Sequence, residues 1–353
     1  MLTKKQVEEI KEYLELSQNP LFLFDNDNDG LISFLLLRRF LQRGKGIVIK
    51  SYPELNVSYY KRVQELKPDY IFILDKPVVD NNFFEKAIQE NIPIIWIDHH
   101  QPDQLIKNQL KNYKNIYYYN PLKSKTKKSS EPVSYLSYKI TNKKEDIWLA
   151  LIGCISDALI PDFYSDFQLA FPELAKKNPS SAFDILYNSE IGKIARILNF
   201  SLKDKTKNII NMFNFMIQTK NPYDILEENE KTLQITKRYN EINSKYQKLV
   251  ERARKQAENK LIYFQYQGDL SLSADIANQL NYEFPDKIIV VAYIKDNIAN
   301  ISLRGKNIRN ITLEAIKNIE NATGGGHENA TGAKMSSSQL PEFKDNIERL
   351  IKD

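Results

Sequence analysis

The chain has 353 residues, 42% hydrophobic and 27% charged, with a formal net charge of +5. That composition suits a soluble globular protein too long for one average core, so two domains are expected. It holds no apolar run long enough to span a bilayer. Its single cysteine, Cys154, excludes an internal disulfide and a multi-cysteine zinc site, as suits a reducing cytoplasm.

The opening stretch MLTKKQVEEIKEYLEL reads as an amphipathic helix and lacks the basic-then-apolar layout of a secretory signal, so a cytoplasmic, non-membrane protein is expected. Short apolar runs follow at Leu21–Phe24, Gly46–Ile49, Tyr70–Leu74 and Ile92–Ile97, with amphipathic stretches at about 31–43, 57–66 and 81–91 between them. Unbroken apolar runs alternating with helices predict a parallel sheet covered on both faces. Three of the four runs stop at an aspartate: Asp25, Asp75 and Asp98. Ligands of open α/β sheets bind beyond the C-terminal strand ends, so these positions draw attention.

From about 100 to 132 the chain turns polar and includes the Lys-rich stretch Lys123–Lys128, predicted to be a surface loop. Helices are predicted at about 132–141 and 145–157, the second ending near Asp157. Residues 201–260 read as a charged helical linker, with Ile242, Tyr246, Leu249, Ala253 and Ala257 on one apolar face. A second α/β domain is expected from 261, with LIYFQY, KIIVVAYI and ANISLRG as strands and a helix at Ser273–Leu280. The division is therefore 1–200, 201–260 and 261–353.

The chain has three histidines: His99 and His100 follow Asp98 at a strand end, and His327 sits in a glycine cluster. Asp25-Asn26-Asp27-Asn28-Asp29-Gly30 places three carboxylates at alternating positions after a buried strand. The string resembles the start of an EF-hand loop, but Leu36 stands where that loop needs a glutamate. Taken alone it reads equally as a solvated acidic turn. Asp75, Asp98-His99-His100 and Asp157 at further element ends turn the reading toward a mixed carboxylate and imidazole site suited to Mn²⁺ or Mg²⁺.

Asp25-x-Asp27-x-Asp29-Gly30, Asp75, Asp98-His99-His100 and Asp157 resemble, in order, motifs one to four of the DHH phosphoesterase superfamily. Gly324-Gly325-Gly326-His327-Glu328-Asn329-Ala330-Thr331-Gly332 is similar to the GGGHxxAxG signature of the DHH-associated domain. The combination is most similar to RecJ-like exonucleases, their archaeal relatives and the nanoRNases. The resemblance implies an α/β fold, a parallel-sheet DHH domain joined by a long helical linker to a smaller α/β associated domain. It implies two manganese ions, with magnesium as the alternative, at Asp25, Asp27, Asp29, Asp75, His99, His100 and Asp157, and Asp98 among the catalytic residues. Arg304 matches an arginine of the associated domain and is the candidate phosphate fork. Gly324, Gly325, Gly326 and His327 could form a nest of backbone N–H groups around an anion, the alternative being a plain turn.

Asn26 and Asn28 are unusual fillers of the first motif, and Lys76-Pro77 replaces the small residues usual after Asp75, so that Lys76 could compete with a metal. The function expected is exonucleolytic hydrolysis of single-stranded DNA or RNA. The alternatives are a phosphodiesterase of short oligonucleotides or cyclic dinucleotides, and a replication scaffold. A replication or repair partner of the GINS type is compatible with the first and the last.

Overall fold

The computed structural model describes residues 1–51, 53–102, 110, 113–123, 130–257 and 260–352. The chain forms two compact units, Met1–Tyr239 and Asn240–Asp353.

Helix α1 (Lys4–Leu16) opens the first unit behind a capping box made by Thr3 and Gln6. The central sheet comprises, among the described residues, β1 (Pro20–Asp25), β2 (Lys45–Ile49), β4 (Tyr70–Leu74), β6 (Ile94–Ile97) and β7 (Ile116–Tyr119). All neighbours are parallel, in the order β2-β1-β4-β6-β7. Two short strands, β3 (Glu54–Leu55) and β5 (Val78–Val79), pair apart from this sheet. Helices α2 (Asn28–Leu41), α3 (Tyr60–Leu66) and α4 (Asn81–Gln89) make the crossovers. The chain runs outward from β1 to β2, then returns to place β4 on the other flank of β1. That reversal creates a topological switch point between β1 and β4, where the loops diverge and leave a crevice.

Both sheet faces are covered, which is why the strands carry no polar alternation. Leu21, Leu23, Ile71, Ile73, Ile94 and Trp96 face one core with Tyr60, Val63, Phe83 and Phe84. On the other face Phe24 stacks on Phe34 of α2 at 4.8 Å and meets Phe213 at 5.5 Å. Helices α5 (Val133–Thr141), α6 (Ile147–Ser156), α7 (Tyr164–Ala170), α8 (Ala182–Asn188), α9 (Glu190–Ser201) and α10 (Thr206–Gln218) complete the unit. The buried Arg39 ties separate segments together: its guanidinium reaches Asp146 at 2.7 Å and the Met216 carbonyl at 2.9 Å.

The predicted elements of this unit appear with ends shifted by a few residues. Two differences matter. The stretch read as one polar loop contains β7, whose Ile116 and Tyr119 are buried; Ser124–Lys128 of the Lys-rich stretch lie outside the described residues. The segment read as a helical linker is two things: α10 buries Ile209, Met212, Phe213 and Met216 in the first unit, while α11 (Leu233–Arg254) runs across the boundary between Tyr239 and Asn240.

The second unit is a mixed sheet of β8 (Leu261–Gln267), β9 (Ile288–Lys295), β10 (Ile298–Arg304), β11 (Thr323–His327) and β12 (Ala330–Ser336), ordered β11-β12-β10-β9-β8. The β8–β9 pair is parallel and the others are antiparallel. Helix α12 (Ser273–Glu283) packs on β9 and β10, and α13 (Ile308–Ile316) lies against β11, β12 and α14 (Leu340–Lys352). Val290, Ala292, Ile301, Ala315, Phe343 and Ile347 share one core. The glycine cluster is not a turn: Gly324–Gly326 are extended in edge strand β11, in register with Gly332 and its neighbours on β12. Gly326 has φ +136°, and a Cβ there would stand 2.6 Å from the Ala330 carbonyl oxygen, so only glycine fits. No described helix is long and apolar enough to cross a membrane.

Candidate metal centre

The first-unit residues singled out in the sequence converge at the C-terminal ends of β1, β4 and β6. Asp25 ends β1, and Asp27 caps α2, its Oδ1 accepting from the Gly30 N–H at 3.0 Å. The acidic string is therefore not a free turn. It is the strand-to-helix corner, and Asp29 lies in the first helical turn. Gly30 is needed because a Cβ there would lie 2.6 Å from the Asp25 carbonyl oxygen.

Asp29 is buried and fixed by the start of α5, whose Val133 and Ser134 N–H groups donate to its two carboxylate oxygens at 2.8 Å. A carboxylate at a helix N-terminus is held by oriented donors as well as the helix dipole. Asp75 follows β4 in a left-handed conformation, φ 59°, a strained backbone that turns its side chain at the sheet end. Asp157 caps the end of α6 and keeps some solvent access.

The histidines bear on what this cluster could hold. His99 is buried, with Nδ1 3.2 Å from the Ser130 carbonyl oxygen. A carbonyl only accepts, so the proton belongs on Nδ1 and the neutral ring turns a lone pair outward from Nε2. That nitrogen lies 3.4 Å from Asp75 Oδ1 and 3.7 Å from Asp157 Oδ2. A lone pair facing two carboxylates is repelled unless a proton or metal cation lies between them. Asp75 Oδ1 is itself buried and accepts no well-formed hydrogen bond. These atoms fit a divalent cation.

His100 has the same polarity, its Nδ1 lying 2.8 Å from Asp98 Oδ1. Asp98 also accepts from Tyr118 Oη and Asn120 Nδ2, each at 3.1 Å. Its carboxylate is thus engaged in orienting His100, the arrangement that fixes a ligating imidazole from behind. Tyr118 and Asn120 were not singled out in the sequence. They lie in and just after β7, and four residues (IYYY) amid Lys and Asn give little strand signal.

Ligand atoms of Asp29, Asp75 and His99 lie within 4.8 Å of one another, as do those of Asp25, Asp27 and Asp75, and those of Asp75, Asp98 and His100. Asp75 is common to all three groupings. Without a cation the carboxyls oppose one another's ionisation. Desolvation, aided by Asp25 and Asp29, pushes Asp27 up to about 6 although it keeps solvent access. Burial, with Asp157 opposing ionisation, raises Asp29 to about 6. Burial, then Asp29 and Asp27, hold Asp75 well above the ordinary carboxylate value. For His99 burial works against the charge, but Asp157 and Asp75 outweigh it and hold its pKa well above normal.

Lys76 departs from a purely acidic site. It is fully buried and donates to Asp25 Oδ1 and the Ser51 carbonyl oxygen, each at 2.8 Å. Asp25 thus already has a cation on one oxygen. In the second unit Arg304 donates through Nε to Asn278 Oδ1 at 2.6 Å and through Nη1 to the Leu303 carbonyl at 2.8 Å, so its fork is partly engaged. His327 ends β11 opposite Ala330.

A parallel sheet ordered β2-β1-β4-β6-β7, with a carboxylate and imidazole cluster at its switch point, defines an α/β protein with a candidate divalent-cation centre. Residues 21–153 match the DHH family N-terminal domain, and residues 257–353 match the DHHA1 domain. The chain belongs to the DHH family, and its fold is RecJ-like. It resembles RecJ of Thermus thermophilus, solved in complex with Mn²⁺, with TM-score 0.68 and 14% identity over 99% of this chain and 55% of that one. The chain therefore spans about half of that protein. An exonuclease RecJ bound to manganese aligns with TM-score 0.65 and 15% identity, over 99% of this chain and 95% of the other. CDC45 from Entamoeba histolytica aligns with TM-score 0.53 and 9% identity, over 99% of both chains. No curated protein matches the sequence.

Proposed function

We propose that the protein is a metal-dependent phosphodiesterase, an exonuclease hydrolysing single-stranded DNA or RNA at two cations. The observation that carries this is His99 Nε2, made a lone-pair donor by the Ser130 carbonyl and aimed at Asp75 and Asp157. A phosphodiester is anionic and repels hydroxide, so positive charge has to be concentrated where water attacks. Two divalent cations would supply that charge and lower the pKa of a bound water. Asp27, Asp29, Asp75, His99, His100 and Asp157 would hold them, with Asp75 the candidate shared ligand, since it belongs to separate ligand groupings. Asp98 keeps His100 in the right tautomer, and the α5 N-terminus keeps Asp29 in place. Asp25, held by Lys76, is assigned a supporting place. Arg304, the Gly324–Gly326 strand and His327 are proposed to contact substrate phosphate; an extended edge strand offers N–H groups one at a time rather than as a nest. Manganese suits this oxygen and nitrogen donor set better than magnesium does. RecJ structures similar in fold were solved with manganese and with magnesium, which supports a divalent cation and leaves the choice of manganese to the donor set.

The complete ligand set favours an enzyme over a scaffold of the CDC45 kind. The test is metal-stripped protein given Mn²⁺ and end-labelled single strands of DNA and RNA, short and long. Mn²⁺-dependent shortening is expected. It should fall by several powers of ten in Asp75→Ala and His99→Ala, with bound manganese reduced and folding kept. Cleavage confined to the shortest strands would move the reading to an oligonucleotide phosphodiesterase. Cleavage that survives EDTA and dialysis would refute it.

A further inference from the structure

Strand β8 is the edge of the second unit's sheet: β9 pairs on one side, and no described strand lies on the other. The Ile288 N–H donates to the Lys260 carbonyl. In a parallel ladder alternate residues turn both backbone groups to the same neighbour. Ile262, Phe264 and Tyr266 therefore face β9, while Leu261, Tyr263, Gln265 and Gln267 turn their N–H and C=O groups to the open side. These four residues line a groove of about 1460 Å³ formed within the second unit.

Exposed edges are normally blunted by proline, a charged residue on the strand or a bulge. LIYFQYQ has no proline and no charge. Its seven residues leave roughly 23 Å of regular edge. The walls carry the charge instead. Arg252 and Lys255 on or just after α11, Lys260 before β8 and Lys344 on α14 line the groove, against Glu348, which pairs with Lys344 at 3.5 Å.

We propose that the β8 edge takes an extended acidic segment of a partner protein as an additional strand. A peptide alternates donors and acceptors and so meets both kinds of outward backbone group. A nucleic-acid backbone offers phosphate acceptors alone and would leave the outward carbonyls facing like charge. A second copy paired edge to edge would bring its own Arg252, Lys255, Lys260 and Lys344 toward these, so the charge opposes self-pairing. The basic walls select glutamate and aspartate on the incoming strand.

The probe is a fluorescein-labelled peptide of alternating Glu and Val, followed by anisotropy at low and moderate salt with the full chain. Saturable binding is expected, with Leu261, Tyr263, Gln265 and Gln267 amides gaining hydrogen-exchange protection. The fully N-methylated peptide and the Lys/Val peptide should bind at least tenfold more weakly. Gln265→Pro removes an outward donor without touching the β8–β9 ladder and should weaken binding at least tenfold with an unchanged melting temperature. If that variant does not fold, the surface double variant Lys255→Glu/Lys344→Glu should give the same loss. The proposal is overturned by no saturable binding, by equal binding of the N-methylated peptide, or by oligothymidylate displacing the peptide with the same sensitivity to the variants. A wild-type dimer that Gln265→Pro converts to monomer in sedimentation also overturns it, since the edge would then be filled by a second copy.

Discussion

Lys76→Met tests whether the acidic centre depends on a built-in cation. Lys76 Nζ is wholly buried and lies 2.8 Å from Asp25 Oδ1, whose side chain is 15% exposed. At an effective dielectric of about 20 two unit charges at such a distance attract by about 6 kcal/mol. Removing one partner leaves the other charge buried without compensation, which typically costs about 3–5 kcal/mol net. For a unit of this size each kcal/mol lowers the melting temperature by about 2–4 °C, so a drop of about 6–20 °C is expected in metal-free protein. Methionine fills nearly the same volume, so the loss reports charge rather than packing. Adding Asp25→Asn should return at least half of it, because the orphaned carboxylate is then gone, and the double-mutant cycle gives the coupling directly. Thermal and urea unfolding of wild type, Lys76→Met, Asp25→Asn and the double variant, all in EDTA, measure the four corners. A Lys76→Met melting temperature within about 2 °C of wild type would refute the reasoning.

Two further outcomes follow from the same cluster. Asp27 and Asp29 titrate at about 6 when metal-free, above the ordinary 3.8, so the folded state binds their protons more tightly than the unfolded chain. Stability must then fall as pH rises through about 4 to 6, on the order of 2–3 kcal/mol for buried Asp29. The raised His99 acts in the same sense: its contribution is full below about 6.5 and disappears as pH climbs through its higher folded value. Melting in EDTA from pH 5 to 8 should therefore show declining stability, and Mn²⁺ should reverse the trend; a metal-free protein more stable at pH 8 would contradict the cluster's electrostatics. Asn120→Ala removes donors to Asp98 and to the His100 carbonyl and should weaken manganese binding about 10- to 100-fold, read by titration, with Tyr118→Phe milder. Unchanged affinity in both would mean that the orientation of His100 does not matter.

The order of residues was enough to reveal the sheet and the carboxylates at its ends. Leu21–Phe24, Tyr70–Leu74 and Ile94–Ile97 are apolar without interruption, as a strand buried on both faces requires, and each stops at a carboxylate. Strand β7 escaped because parallel pairing, not local pattern, makes a strand of Ile116–Tyr119; its neighbour β6 supplies the hydrogen bonds. The extended form of the glycine run escaped for a related reason: glycine's local freedom is compatible with a nest or a turn, and only pairing with β12 makes it a strand. How the surroundings of the acidic residues differ came from the folded arrangement and from nothing earlier. One letter denotes Asp98, tied by Tyr118, Asn120 and His100; Asp25, held by Lys76; and Asp75, whose buried oxygen is left facing His99. Lys76 stands 51 residues from the aspartate it holds. Burial, distance and the direction of a lone pair separate a ligand from its support, and none of these is a property of the residue alone.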